Sequence, residues 1–166
     1  MAGKVLTRGE RVIAFVEKFC IVPEGTLLGK PVRLLPFQKK IITDVYDNPS
    51  GTSRAYLSIA RKNGKTAIIA CLLLVQIIGP EAYQNSRIIS GARSRKQAAE
   101  VFNYASKMFM MQPAFKKLGR YIPSSKTIIG YTKNVEYQAI SAEAATAHGG
   151  SPILAMVVEQ QLSAPR

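Results

Sequence analysis

Residues 57–70 read LSIARKNGKTAIIA. An apolar stretch runs into a polar loop of Arg61, Lys62, Asn63, Gly64, Lys65 and Thr66, and a second apolar stretch runs out of it. Upstream, Ser53 to Ile59 (SRAYLSI) alternates and is rich in strand formers, which predicts a strand. Downstream, Thr66 to Ile78 is apolar on nearly every side, which predicts a helix enclosed by other elements. Gly79 and Pro80 end it. Strand, polar loop with Gly-Lys-Thr, then helix is the tail of a phosphate-binding loop. The free N–H groups of a helix start face an anion, and the helix dipole favours negative charge there. A lysine reaches the β- and γ-phosphates, a threonine hydroxyl ligates Mg²⁺, and a glycine allows close backbone approach. The usual G-x-x-x-x-G-K-[ST] pattern is incomplete, because Ile59 stands where its first glycine would fall. A polar helix-start turn that merely contains a lysine has the same short signature. The flanking elements and two additional cations favour nucleoside triphosphate.

The bulk properties agree with one folded domain. The chain has 166 residues, 47% apolar and 20% charged, an ordinary globular composition. Its longest apolar run, Ala67 to Val75 extended by Ile77 and Ile78, is well short of the roughly 20 residues that span a bilayer. The N-terminus MAGKVLTRGE lacks the apolar core of a secretory signal. Cys20 and Cys71 sit in apolar contexts without metal or redox spacing, and read as buried, reduced thiols of a cytoplasmic protein. Lysine and arginine number 23 against 10 acidic residues, a net charge of +13 that suits a polyanionic partner, most simply nucleic acid. The cations are dispersed in local groups (Arg61/Lys62/Lys65, Arg93/Arg95/Lys96, Lys116/Lys117/Arg120), so a charged face or channel is expected rather than a basic arm.

Outward from the loop, RGERVIAFVEKFC (8–20) has helical spacing, and a Pro- and Gly-broken segment follows it. Pro36 suits the first turn of a helix over FQKKIITDVYDN. Arg87–Ser90 is a short strand, SRKQAAEVFNYASKMFMM (94–111) a long helix, and further strands are expected at 126–129, 135–140 and 153–158. Alternating strands and helices followed by more strands imply an α/β fold around a largely parallel sheet. A triphosphate-hydrolysing site also needs an acidic residue at the end of a neighbouring strand. ILAMVVEQ (153–160) ends on Glu159, which is either that residue or the first polar residue after a buried strand.

Four segments, PFQKKII (36–42), SIARKNGKT (58–66), SGARSRKQAAEVF (90–102) and ISAEAATAHGGSPILAMVVEQ (140–160), together resemble bacteriophage terminase large subunits in content and order. The resemblance implies a P-loop ATPase fold of the additional-strand, catalytic-glutamate type, incomplete at the C-terminus. It implies a leading helix and loop over 1–35, a partial ATPase domain over 36–166, and an absent C-terminal nuclease domain. The implied activity is ATP-driven packaging of double-stranded DNA into a capsid, with ATP and Mg²⁺ as cofactors. The implied partners are the DNA, the terminase small subunit, the capsid portal and other copies in a ring, without a membrane, in the host cytoplasm. Carried over by position, Gln38 matches an adenine-reading glutamine with Phe37 beside the base. Arg61 matches a γ-phosphate-sensing arginine; Lys62, Asn63, Gly64, Lys65 and Thr66 form the phosphate loop, Thr66 ligating Mg²⁺. Glu159 matches the catalytic glutamate. His148, in TAHGG, reads as a loop residue supporting a turn.

Two departures from the family pattern stand out. Val158-Glu159 replaces the usual Asp-Glu pair, and a one-residue shift to Glu159-Gln160 also leaves one carboxylate missing. The chain stops at Arg166, before the family's coupling segment and later strands, so an apolar sheet edge is expected to be exposed. Both departures suit a second reading, a catalytically disabled prophage remnant that binds nucleotide or DNA without turnover. A helicase-like ATPase would need a second core domain, and a small-molecule kinase would need a substrate lid.

Overall fold

The computed structural model describes residues 5–60, 62–92, 95–141 and 152–157. Helix α1 (Arg8–Phe19) starts with a reciprocal cap. The Glu10 N–H donates to Thr7 Oγ1 at 3.1 Å, and the Thr7 N–H donates to Glu10 Oε2 at 2.8 Å. Two of the four orphan donors of a helix start are thereby satisfied. Val12 and Val16, one turn apart, face the core. Helix α2 (Pro36–Tyr46) lies against α1 and begins with its proline. Asp47, just past α2, accepts the Gly9 N–H at 2.7 Å and the Thr7 hydroxyl at 2.8 Å, joining the end of α2 to the start of α1. These bonds, the Gly9 N–H first, hold the Asp47 carboxyl below its usual range.

Helix α3 (Lys65–Ile78) is the central rod, with Ile68, Ala70, Cys71, Leu73, Leu74, Val75 and Ile77 buried. It packs against α1, against helix α4 (Arg95–Met111) and against two sheet strands. Cys71 meets Cys20 across the α1–α3 contact, both buried and free. The hydrogen bond from Cys20, with burial, pushes the Cys71 thiol well up. The reduced, inert reading of both cysteines fits this placement.

The strands are β1 (Arg87–Ala92), β2 (Gly119–Ile122), β3 (Thr127–Gly130), β4 (Val135–Ser141) and β5 (Leu154–Val157), with a short helix α5 (Pro113–Leu118) between α4 and β2. They form one sheet in the order β2-β3-β4-β1-β5. Strand β1 pairs parallel with both β4 and β5, whereas β2–β3 and β3–β4 are antiparallel. The sheet is therefore mixed, not mostly parallel. The reason lies in the connections: residues 123–126 and 131–134 are short turns, and only antiparallel neighbours can be joined without a crossover of about a dozen residues.

The expected strand over Ser53–Ile59 is not formed; residues 52–60 lie outside any helix or strand, and Tyr56 is 91% exposed. Alternation reports two faces but not the presence of a neighbouring chain, and no strand of the described residues runs beside this segment to complete a ladder. The expected strands at 87–90, 126–129 and 135–140 are present to within a residue or two. That at 153–158 is present as Leu154–Val157, and its last residue lies outside the described ones.

One sheet face, through Ile88, Ser90, Ile128, Tyr137 and Ala139, packs against α3 and α4. Ser90 Oγ and Tyr137 Oη share a buried hydrogen bond of 2.7 Å across β1 and β4. Burial pushes the Tyr137 phenol up to about 12, although the Ser90 bond opposes this. Its folded value exceeds the ordinary unfolded value near 10, so the stability it contributes is complete below pH ~10 and is lost as pH rises through ~12. The expected loss is about 2–3 kcal/mol, and Tyr137→Phe should remove that part of the pH dependence in urea titrations.

A second consequence concerns close packing. A Cβ on Gly130 would collide with the Ile77 carbonyl oxygen at the end of α3. Gly130→Ala should lower unfolding stability by about 1–3 kcal/mol through overpacking, and a thermal midpoint equal to wild type would refute this contact.

Candidate functional site: the loop before α3

Gly64 is the N-cap of α3, in the left-handed region at φ 73°, and Lys62 two residues earlier is also left-handed at φ 66°. The loop therefore turns sharply twice before the helix. Asn63 Nδ2 donates to the Ala60 carbonyl at 3.3 Å and closes it. No side chain caps α3, and no acidic residue stands in its first turn. The first internal bond is Ile68 N–H to Gly64 O at 2.9 Å, and the amides that precede it at a helix start have no intrahelical carbonyl to bond. Lys62, Asn63 and Gly64 are exposed, and Lys65 and Thr66 are half-buried. Helix-start N–H groups without a side-chain cap, two lysines and a first turn of α3 without an acidic residue fit a phosphate chain.

Gln38 is brought to the same place by a different element. Its Oε1 accepts the Leu35 N–H at 2.9 Å, the glutamine half of a capping arrangement at the start of α2. Its Nε2 lies 3.4 Å from where a Cβ on Gly64 would be. One end of the amide is thus tied to the backbone, and the donor end faces the loop. Phe37, 39% exposed, precedes it on the first turn of α2. The role of Leu35 in orienting Gln38 was not read from the sequence. Glutamine at the third position of a helix that opens on proline was the available signal.

Arg61, Val158, Glu159 and His148 lie outside the described residues. The strand that leads to Glu159 is described: β5 runs parallel to β1 at one edge of the described sheet, and Leu154–Val157 precede Val158 directly. The structure therefore brings together Gln38, Lys62, Asn63, Gly64 and the start of α3, and leaves the carboxylate side of the site to the sequence. Among the described residues no group of three or more His, Cys, Asp or Glu could hold a metal ion. No helix of the described residues is long and apolar enough to cross a membrane.

Gly64 is constrained twice, by its φ and by the Gln38 amide. Gly64→Ala should cost about 1–2 kcal/mol for the left-handed conformation, measured by chemical unfolding without any ligand. An unchanged midpoint would show that the loop rearranges freely.

Residues 36–162 match the family model of the terminase large subunit, ATPase domain. The chain is 60% identical over 154 residues to the terminase large subunit of Enterobacteria phage HK97, covering 93% of this chain and 31% of that protein. The crystal structure of the HK97 bacteriophage large terminase superposes with a TM-score of 0.84 at 58% identity, over 92% of this chain and 31% of the other. The chain thus spans about a third of the length of these relatives. An α/β domain with a mixed sheet, the family match over residues 36–162 and this level of identity place the chain in the terminase large subunit ATPase domain family.

Proposed function

We propose that the chain is the ATPase part of a phage DNA-packaging motor, and that the loop before α3 binds Mg-ATP. The observation that carries this reading is the Gln38 amide held beside Gly64, at the uncapped start of a helix with no acidic residue in its first turn. Gln38 would read adenine through Nε2–H and the remaining lone pair of Oε1, and Phe37 would pack beside the base. Lys65, with Lys62 and the amides of Asn63 and Gly64, would neutralise and orient the phosphates. The Thr66 hydroxyl would be a ligand of Mg²⁺, which usually keeps waters and phosphate oxygens as its other ligands rather than a protein cage. Arg61, two residues before Asn63, would sense the γ-phosphate. Bound Mg-ATP supplies the phosphoanhydride bond that is cleaved. Glu159, two residues beyond β5, would orient the attacking water and accept its proton.

The additional-strand, catalytic-glutamate fold type is drawn from the family resemblance, with β5, parallel to β1, leading to Glu159. We assign the ATPase core to 36–166, with α1 and the loop to residue 35 packed onto it. Double-stranded DNA, the small subunit, the portal and a homo-oligomeric ring are the corresponding partners, in the host cytoplasm. The non-catalytic remnant is the less favoured reading, given 60% identity over 154 residues to a terminase large subunit. With the usual aspartate replaced, Glu159 would act without a second carboxylate to help organise the metal, so turnover is expected to be slow.

Mg-ATP hydrolysis by the purified chain, with and without duplex DNA, tests the reading. Lys65→Ala should lower the rate about 10²–10³-fold, the loss typical of one transition-state donor. No turnover by a folded wild-type chain, with no ATP binding in calorimetry, would refute it.

A further inference from the structure

Between Glu100 and Glu136 the sequence has no acidic residue, yet residues 101–135 contain Lys107, Lys116, Lys117, Arg120, Lys126 and Lys133. Two of these cations have partners: Lys107 pairs with Glu24 at 2.9 Å, and Lys126 is half-buried over the Phe102 ring at 5.4 Å. The other four are exposed and form no ion pair among the described residues. The fold brings them together at one sheet edge. Buried Phe115 anchors α5, leaving Lys116 and Lys117 outward, and Arg120 follows in the edge strand β2. The turn holding Tyr131 and Lys133 is pinned beside them, because the Tyr131 N–H donates to the Leu118 carbonyl at 2.8 Å. On its other side the Asn85 N–H donates to the Lys133 carbonyl at 2.8 Å, and Asn134 Nδ2 donates to Asn85 Oδ1 at 3.0 Å. Glu136 is the nearest acid in register, and it stands directly across from Arg87 on β1, whereas Arg120 is two strands away, on the far side of Ile129. The edge is therefore a rigid cationic surface with an exposed tyrosine, Tyr131 at 55%.

We propose that this edge, Lys116, Lys117, Arg120, Lys133 and Tyr131, grips the sugar–phosphate backbone of double-stranded DNA. The inference rests on the packaging reading and adds to it a surface distinct from the nucleotide loop. Cations fixed on short, anchored elements suit a regular polyanion, and contacts to phosphates carry no sequence preference, as packaging requires. The set holds only one large apolar side chain, too little for the desolvated centre of a protein interface.

The test is duplex affinity of the 166-residue chain, by fluorescence anisotropy on a mixed-sequence duplex of about 30 base pairs, at about 50 to 200 mM KCl. Lys116→Gln/Lys117→Gln/Arg120→Gln is compared with an equal neutralisation elsewhere, Lys18→Gln/Lys30→Gln/Arg33→Gln. The edge variant should bind at least about tenfold more weakly, with the log–log salt slope reduced by about 2.7 for three lost contacts, and the second variant should lose about twofold at most. Equal losses in the two variants would overturn the placement while leaving DNA as a partner. Wild type that does not bind duplex at low salt would overturn both the DNA reading and this surface. Unchanged duplex affinity with new self-association would make these cations guards of an open strand edge, and the proposal would fall. It would also fall if the edge variant lost binding only to polyglutamate, which would assign the surface to an acidic protein.

Discussion

Beyond its first turn, α3 has one polar side chain that is not a thiol, Gln76, and that amide donates to the Tyr46 hydroxyl at 3.1 Å. A helix so apolar has to be enclosed, and α1, α4, β3 and β4 enclose it. Burial of Ile68, Leu73, Leu74, Val75 and Ile77 is worth on the order of 10 kcal/mol in transfer free energy, an upper estimate against an extended chain. That burial fixes where the helix begins, and with it the position of Gly64 and the two lysines. Among the described residues the loop is closed by the bond from Asn63 to Ala60. Its geometry is inherited from the core rather than built locally, which is what a ligand-binding loop needs in order to keep its donors free.

The helices were legible because their apolar spacing and their ends agree. Val12 and Val16 repeat at one turn, Pro36 opens α2, and Gly79 closes α3. Two elements were not. Short α5 and β2, PAFKKLGRYI, bury little beyond Phe115 and Gly119, so no period emerges from ten residues. The antiparallel half of the sheet was legible in principle, since expected strands only six residues apart cannot be parallel neighbours in one sheet. In the site, Lys62 to Thr66 followed from residue chemistry. The approach of Gln38 to Gly64 did not: 26 positions of chain separate them, and only the family resemblance linked them before the fold did. Pairing is equally invisible in a lone strand. SRAYLSI has the right alternation but finds no ladder among the described residues.

The two edges of the sheet differ in chemistry. At β2 the exposed side chain is the cation Arg120, and at β5 the pattern is Leu154, Ala155, Met156, Val157, with Val157 71% exposed. Strand β5 pairs only with β1 among the described residues. An edge of that kind readily accepts another strand, whereas a charged one resists it. The domain is thus polarised across the sheet.

The near-contact between Ile77 and Gly130 has a mechanical meaning. Helix α3 is about 21 Å long at 1.5 Å per residue, and its far end meets the β3 backbone with no room for a methyl group. The far end of the rod is thus packed closely on the sheet. Gly130 is paired directly with Gly119 at the start of β2. The loop and the opposite margin of the sheet are thus joined in the fold by one helix and one pair of glycines.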